Sequence, residues 1–277
     1  MGLLLAGLSS AVFGFSDFMG GLASRRAPAI GVVLVGQIVG VLLLLGLLPL
    51  TGGEPTAADL ALGAIGGLAG TTGLLLFYRA LADGVMSTVA PIAAIVGALV
   101  PLTYGLATGD DLTPMAAAGV LVGMAAIGLV STSPEIAAEP TPRRALVMAA
   151  LAGIGFGVFF VFLSRTGDDA GLWPLLGARG ASLPAVALAA ALVRARLPRG
   201  RAEQWPAAAS GLDMIANAFF LLATRHAALS IVSVVGSLYP VTTVMLARIV
   251  LGEHLGPLRL AGLGAAAVAI ALITRGS

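Results

Sequence analysis

The stretch AIGVVLVGQIVGVLLLLGLLPL, residues 29–50, contains no charged side chain. About 20 apolar residues in a helix cross the hydrocarbon core of a bilayer. The stretch is therefore predicted to be a membrane-spanning helix. The segments on either side of it, Arg25-Arg26-Ala27-Pro28 and Thr51-Gly52-Gly53-Glu54-Pro55, are short and polar, as connections between such helices should be.

The rest of the chain repeats this pattern of apolar stretch and short polar connection. Only the connections Ser133–Arg144 and Arg194–Gln204 are longer, and both are polar, so no extramembrane domain fits between the spans. Measured by the same length of about 20 residues, the chain divides into ten predicted spans: 3–23, 29–50, 58–78, 86–107, 115–132, 145–164, 171–193, 205–224, 230–251 and 256–274.

Composition excludes a water-soluble protein. Apolar residues make up 58% of the chain and charged residues 10%, and the mean hydropathy is +1.04. A soluble domain carries about 25% charged residues. The net charge of +2 is small, and the arginines are scattered through short connections, so no nucleic-acid partner is expected. The expected surroundings are a lipid bilayer.

The two halves of the sequence correspond at an offset of 143 residues. This offset places Phe13-Gly14 on Phe156-Gly157, and Gly109-Asp110-Asp111-Leu112-Thr113-Pro114 on Gly252-Glu253-His254-Leu255-Gly256-Pro257. Each half holds five predicted helices, and an odd number makes the second half enter from the other side of the membrane. The predicted fold is an all-α integral membrane protein with ten transmembrane helices as two inverted five-helix repeats, residues 1–133 and 145–277, joined by 134–144. Inverted repeats are a transporter architecture.

Arginine distribution predicts the orientation. Connections after odd-numbered spans carry ten arginines, and the other side carries only Arg165, Arg225 and Arg275. Cytoplasmic connections are enriched in arginine, which places the arginine-rich side in the cytoplasm and both termini outside.

The order of several short motifs resembles the ten-helix EamA type of the drug/metabolite transporter superfamily. The first half carries Tyr78-Arg79-Ala80-Leu81 and Val89-Ala90-Pro91-Ile92. The second half carries Ser230-Ile231-Val232-Ser233, Ser237-Leu238-Tyr239-Pro240 and Leu251-Gly252-Glu253-His254-Leu255. The resemblance extends over essentially the whole chain. The first half departs from it by having Gly-Asp-Asp where relatives usually have Gly-Glu.

The resemblance implies a secondary transporter that moves a small metabolite, such as an amino acid or a drug-like compound, by alternating access. It favours export across the cytoplasmic membrane of a bacterium by a monomer or homodimer, with no enzymatic activity and no cofactor. Many relatives have both termini in the cytoplasm, which is opposite to the orientation that the arginine count predicts.

Ionisable side chains inside membrane spans are costly and are candidates for function. Asp17, beside Ser16 in the first span, is predicted to bind a cationic group of the substrate or to take up a proton as coupling ion. The alternative is an ion pair with an intramembrane arginine. Asp213 and Asn217 lie four residues apart, hence on one helix face, and are predicted to hold a polar ligand or to join helices.

Two intramembrane arginines are further candidates. Arg179 is predicted to bind a substrate carboxylate or to neutralise Asp17 or Asp213. Arg248 lies near the end of its span, where its guanidinium is expected to reach the membrane surface.

Prolines inside spans predict broken helices near the binding site. Pro91 and Pro101 are expected to interrupt the fourth span and Pro240 the ninth, where Ser237 and Tyr239 add hydroxyl groups. A plain helix kink is the alternative. Phe156 and Phe160 are predicted to form a wall of a cavity, and Tyr78 is predicted to contact the substrate. The cavity is expected between spans 1, 3, 4, 6, 8 and 9.

Two other classes of function compete with transport. A membrane enzyme acting on lipid would need clustered carboxylates for a metal, or a nucleophile beside a base. The sequence has no cysteine and no metal-binding or phosphate-binding motif, so no metal site is predicted. A scaffold or sensor without transport activity would have no solvent-accessible central cavity.

Overall fold

The computed structural model describes residues 1–84, 86–131, 141–251 and 256–276, and all regular structure in these residues is helical. The prediction of an all-α, multi-span membrane protein is confirmed. The α-helices are α1 Gly2–Ser24, α2 Ala29–Thr51, α3 Ala57–Asp83, α4 Met86–Ala107, α5 Pro114–Ser131, α6 Arg143–Ser164, α7 Trp173–Leu192, α8 Arg201–Ala209, α9 Asp213–Thr224, α10 Leu229–Gly236, α11 Tyr239–Leu251 and α12 Pro257–Gly276.

Seven of the described helical stretches are long and apolar enough to cross a membrane. They are α1 to α4, α6, α7 and Arg201–Thr224, in which a 3-10 turn joins α8 to α9. Three further apolar stretches are shorter, Pro114–Leu129, Leu229–Thr243 and Leu260–Gly276. The number of ten crossings therefore stays a prediction. The Gly252–Leu255 part of the repeat match and the side chain of Arg248 lie outside the described residues.

The protein has an apolar exterior and several polar side chains inside. Large apolar side chains such as Leu42, Leu121 and Leu188 are more than 60% exposed, whereas Gln37 and Asn217 are at most 5% exposed. Extended apolar surface of this kind belongs in contact with lipid rather than water. Gln37 is hydrogen-bonded to side chains of neighbouring helices, and Asn217 lines a cavity.

Glycines in α3 allow the two halves of the chain to approach closely. A Cβ atom at Gly63 would overlap the backbone of Pro174, and one at Gly67 would lie 2.5 Å from the Cα atom of Ala178. Small residues four apart permit such contacts in membranes, where no hydrophobic effect drives helices together. Gly119 of α5 makes a similar contact with α12 at Ile273.

Of the helix breaks predicted at Pro240 and Pro91, the structure contains the first and not the second. The ninth predicted span is divided at Ser237 and Leu238, directly before Tyr239 and Pro240 at the start of α11. In contrast, α4 runs from Met86 to Ala107 through Pro91 and Pro101 without interruption, so the predicted break at Pro91 is not present. A proline removes one backbone donor, and tightly packed neighbours can hold a membrane helix together around it.

The described helices alternate in direction and define two ends of the bundle. Gly2, the first residue of α1, packs against Ala227, and the Thr113 hydroxyl donates to the carbonyl of Gly276. The start of α1 and the end of α12 therefore lie with the connections 51–56, 108–113, 165–172 and 225–228, which we call the terminal face. The opposite face carries the connections 25–28 and 193–200, joined by Arg196 and the carbonyl of Arg26.

Candidate functional site

A central cavity lies among seven helical segments. Its walls come from α1, α3, α4, α6, α7, α9 and the junction between α10 and α11, and its empty space, including the open mouth, is about 810 Å³. The six predicted spans all contribute to these walls. The seventh span, α7, was absent from that prediction and contributes Leu175, Ala178, Arg179 and Ser182.

Most of the side chains predicted to bind substrate are brought together in this cavity. Eight of the ten line it: Asp17, Phe156, Phe160, Arg179, Asp213, Asn217, Ser237 and Tyr239. These residues are far apart in sequence and come from both halves of the chain. These eight residues therefore lie around one cavity, while their role in substrate binding stays a prediction.

Ser16 and Tyr78 do not line the cavity. The Ser16 hydroxyl donates to the carbonyl of Ser210 at 2.6 Å and is fully buried, because successive residues of a helix point about 100° apart and Asp17 takes the cavity-facing direction. Tyr78 is also fully buried. Its phenol ring packs against Gly20, where a Cβ atom would overlap it.

Arg179 and Asp213 form an ion pair across the cavity wall. The Arg179 Nη2 atom lies 2.6 Å from Asp213 Oδ2, and the two side chains are 7% and 13% exposed. Of the alternatives for Arg179, the structure shows neutralisation of Asp213 rather than of Asp17. The pair joins α7 to α9, and removing either partner would leave an uncompensated charge in a poorly solvated site.

Asp17 differs from Asp213 in having no counterion. Its side chain is 8% exposed, it lines the cavity, and it makes no hydrogen bond or ion pair within the described part of the chain. The ion-pair alternative for Asp17 is therefore not seen there. A carboxylate in this position is available to a cationic ligand or to a proton.

The polar groups of α9 and α11 also cross-link the bundle. The Asn217 Nδ2 atom donates to the backbone carbonyl of Asp213 at 2.8 Å, while its Oδ1 atom is buried without a hydrogen-bond partner. The Tyr239 hydroxyl donates to the carbonyl of Ala90 at 3.3 Å, next to Pro91. This contact joins α11 to α4 beside the cavity.

Aromatic rings form one wall of the cavity. Phe156, Phe159 and Phe160 of α6 line it together with Phe13 of α1. Phe160 is held from behind by Phe220, whose ring stacks on it with centroids 3.9 Å apart. Phe13 meets the edge of Phe160 at 6.0 Å. This wall is apolar and rigid, because each ring packs against another.

Sequence reasoning missed a polar chain behind the cavity. The Gln37 Nε2 atom donates to Thr71 Oγ1 at 2.8 Å, and the Ser182 hydroxyl donates to Gln37 Oε1 at 3.1 Å. Thr71 and Ser182 both line the cavity. Two features of the sequence could have indicated this chain. Spans 2, 3 and 7 each carry a polar residue near the middle, and Arg179 and Ser182 are three residues apart and so share a helix face.

Comparison with known proteins gives a family match for the second half of the chain and a fold for nearly all of it. Residues 143–275 match the model of the EamA-like transporter family. One solved crystal structure superimposes with a TM-score of 0.70 over 96% of this chain and 98% of its own, at 20% sequence identity. At this identity the likeness shows the fold alone. No curated protein matches the chain significantly.

Proposed function

Because residues 143–275 match the EamA-like transporter family, we propose that this chain is a member of that family and a secondary transporter that carries a small metabolite through the central cavity by alternating access. The resemblance expected from the sequence motifs is confirmed, and a transporter of the drug/metabolite type is what the family implies. The substrate, the direction and the mechanism are the parts that we propose.

The observation that carries the proposal is the position of the cavity. It lies midway along the helices between the two halves and holds Asp17, Arg179 and Asp213 inside an otherwise apolar bundle. Intramembrane charges typically mark substrate or ion pathways. Transporters built from inverted repeats place their sites at the repeat interface near the bilayer midplane.

Helix packing supports the proposed pair of inverted repeats. Helix α1 packs on α9 and α11, and α6, its counterpart in the second half, packs on α3 and α4. Helix α5 packs on its own counterpart, α12. Each of these contacts thus has a partner contact with the roles of the halves exchanged, as expected for a pseudo-twofold axis.

The halves are joined at the terminal face by a set of hydrogen bonds that we call the terminal latch. The Asp59 Oδ1 atom accepts from the Gly167 amide at 2.7 Å, and the Glu54 amide donates to the carbonyl of Asp169 at 2.8 Å. Within the second half, Arg225 braces this connection by donating to the carbonyl of Thr166 at 2.5 Å. The latch joins the 51–56 connection and the start of α3 to the 165–172 connection.

A related set at the opposite face forms the opposite latch. The Arg196 Nη2 atom donates to the carbonyl of Arg26 at 2.7 Å, and Glu203 holds Arg196 at 2.8 Å. Arg26 and Asp169, the residues whose carbonyls accept in the two latches, are 143 residues apart. This equals the predicted repeat offset and supports the proposed symmetry.

Alternating access follows if the two latches open one at a time. The terminal latch consists of partly buried hydrogen bonds and the opposite latch of more exposed ones. Each hydrogen bond is worth about 0.5–3 kcal/mol net, so either set can break without unfolding the helices that carry it. Rocking of the halves would then expose Asp17 and Asp213 to one side of the membrane and afterwards to the other. In this scheme Asp17 takes up a proton or the substrate, and the metabolite moves outward across a bacterial cytoplasmic membrane.

A transport assay tests the proposed function. Purified protein is first screened by thermal shift against amino acids, nucleosides, polyamines and cationic drugs, and stabilising compounds are tested by counterflow in proteoliposomes. We expect at least one compound to accumulate transiently in loaded proteoliposomes but not in protein-free liposomes. Stabilisation by compounds without any counterflow would favour a sensor over a transporter.

A further inference from the structure

We propose that the cavity selects compounds that carry a protonated amine on an aromatic or apolar body, with Asp17 as the residue that receives the amine. This inference rests on the proposed function and assigns the substrate class to the same cavity. It is carried by the charge balance of the cavity, by the hydrogen-bonding groups left free in it and by the nature of its walls.

With Asp17 ionised, the charge balance of the cavity is negative. Asp17, Arg179 and Asp213 are the carboxylate and guanidinium side chains among its described lining residues. Arg179 is paired with Asp213 at 2.6 Å, which leaves the charge of Asp17 uncompensated. A buried carboxylate without a counterion is costly, so a ligand with a positive charge gains more here than a neutral or anionic one.

Two acceptor groups of the cavity are free. The Asp17 carboxylate has no donor partner among the described residues, and the Oδ1 atom of Asn217 is buried without a partner. In contrast, the amide nitrogen of Asn217 already donates to the Asp213 carbonyl. A protonated primary amine offers three donors and no acceptor, which matches these two free acceptors.

The apolar part of the ligand has a complementary wall. Phe13, Phe156 and Phe160 line the same cavity as Asp17, and Phe160 is fixed by stacking on Phe220. Aromatic rings pack well against one another and attract cations through their faces. The arrangement therefore fits an amine attached to a ring better than a polyamine, whose second charge would find no free carboxylate in the described lining.

Three probes of similar size separate charge from shape: phenethylamine, 2-phenylethanol and phenylacetate. Their binding to the purified full-length protein is measured by calorimetry at neutral pH. We expect phenethylamine to bind most tightly and phenylacetate least tightly. The Asp17→Asn variant should bind phenethylamine roughly 10- to 100-fold more weakly, as expected for loss of a charged hydrogen bond, and 2-phenylethanol about as before. Asp83→Asn, which changes an acid outside the cavity, is the matched control.

Several results would overturn the assignment. They are tighter binding of phenylacetate than of phenethylamine, no binding of phenethylamine, or equal phenethylamine affinity in Asp17→Asn and the unmodified protein. If Asp17→Asn does not fold, the order of the three probes on the unmodified protein still decides. Counterflow of a neutral or acidic compound would leave the proposed function standing while this assignment fails, so the two failures are distinguishable.

Discussion

Cross-linking either latch is expected to stop transport. At the terminal face, Glu54→Cys and Asp169→Cys place two thiols where the backbone atoms of these residues are 2.8 Å apart. At the opposite face, Arg26→Cys and Arg196→Cys place them where the Arg196 side chain reaches the Arg26 carbonyl. A short bifunctional thiol reagent should reduce counterflow of the transported compound to the level of protein-free liposomes in each case, because alternating access requires each face to open in turn.

The controls for this experiment follow from the sequence, which contains no cysteine. Each single-cysteine variant, treated with the same reagent, should retain counterflow, and a reducible reagent should allow activity to return. Full counterflow with one latch cross-linked would show that this face does not open during transport. That result would contradict rocking of the two halves. Transport through the cavity by another route of entry would still be compatible with it.

The substitution Asp213→Asn is expected to destabilise the protein strongly. It removes the partner of Arg179, which is only 7% exposed. Breaking a buried pair by removing one partner costs about 3–5 kcal/mol, and for a chain of this size a loss of about 3 kcal/mol lowers the unfolding midpoint by roughly 6–12 °C. Thermal unfolding of the purified protein in detergent measures the shift.

Asp168→Asn is the matched control for this substitution. Asp168 also pairs with an arginine, Arg225, but its side chain is 86% exposed, so the expected loss is about 0–1 kcal/mol. The double variant Arg179→Met with Asp213→Leu should recover much of the stability, because no charge is then left unpaired. Similar midpoints for Asp213→Asn and Asp168→Asn would show that the Arg179–Asp213 pair contributes little.

Sequence pattern predicts the helices of this protein well because lipid imposes a length and an apolar composition on each span. The second predicted span, 29–50, becomes α2 at Ala29–Thr51. The helices depart locally from the predicted spans where the backbone adopts a geometry that hydropathy does not predict. The eighth span contains a 3-10 turn at Ser210–Leu212, and α4 remains continuous at Pro91.

The site was predictable in its residue types but not in its pairings. An acid inside a span is a candidate wherever it lies, so Asp17 and Asp213 both stand out in the sequence. Which of them pairs with Arg179 depends on where α7 lies relative to α1 and α9, and no periodicity within one helix contains that information. The same limit explains Ser16, which lies beside Asp17 in sequence but bonds to Ser210.

The aromatic wall shows a similar limit. Phe156 and Phe160 lie four residues apart on α6 and share a face by helical periodicity alone. Whether that face meets lipid or a cavity depends on the partner helices. In the structure both rings line the cavity, and Phe160 stacks on Phe220 of the neighbouring helix α9.

The central claim is that the cavity opens alternately to the two sides of the membrane. Its most direct test is labelling of Ser237→Cys, in the cavity lining, with a membrane-impermeant thiol reagent applied separately to each side of oriented vesicles. Ser9→Cys, at a fully buried position outside the cavity lining, is the control and should stay unlabelled. The account predicts labelling of the Ser237→Cys thiol from both sides, and labelling from one side only or from neither side would contradict it.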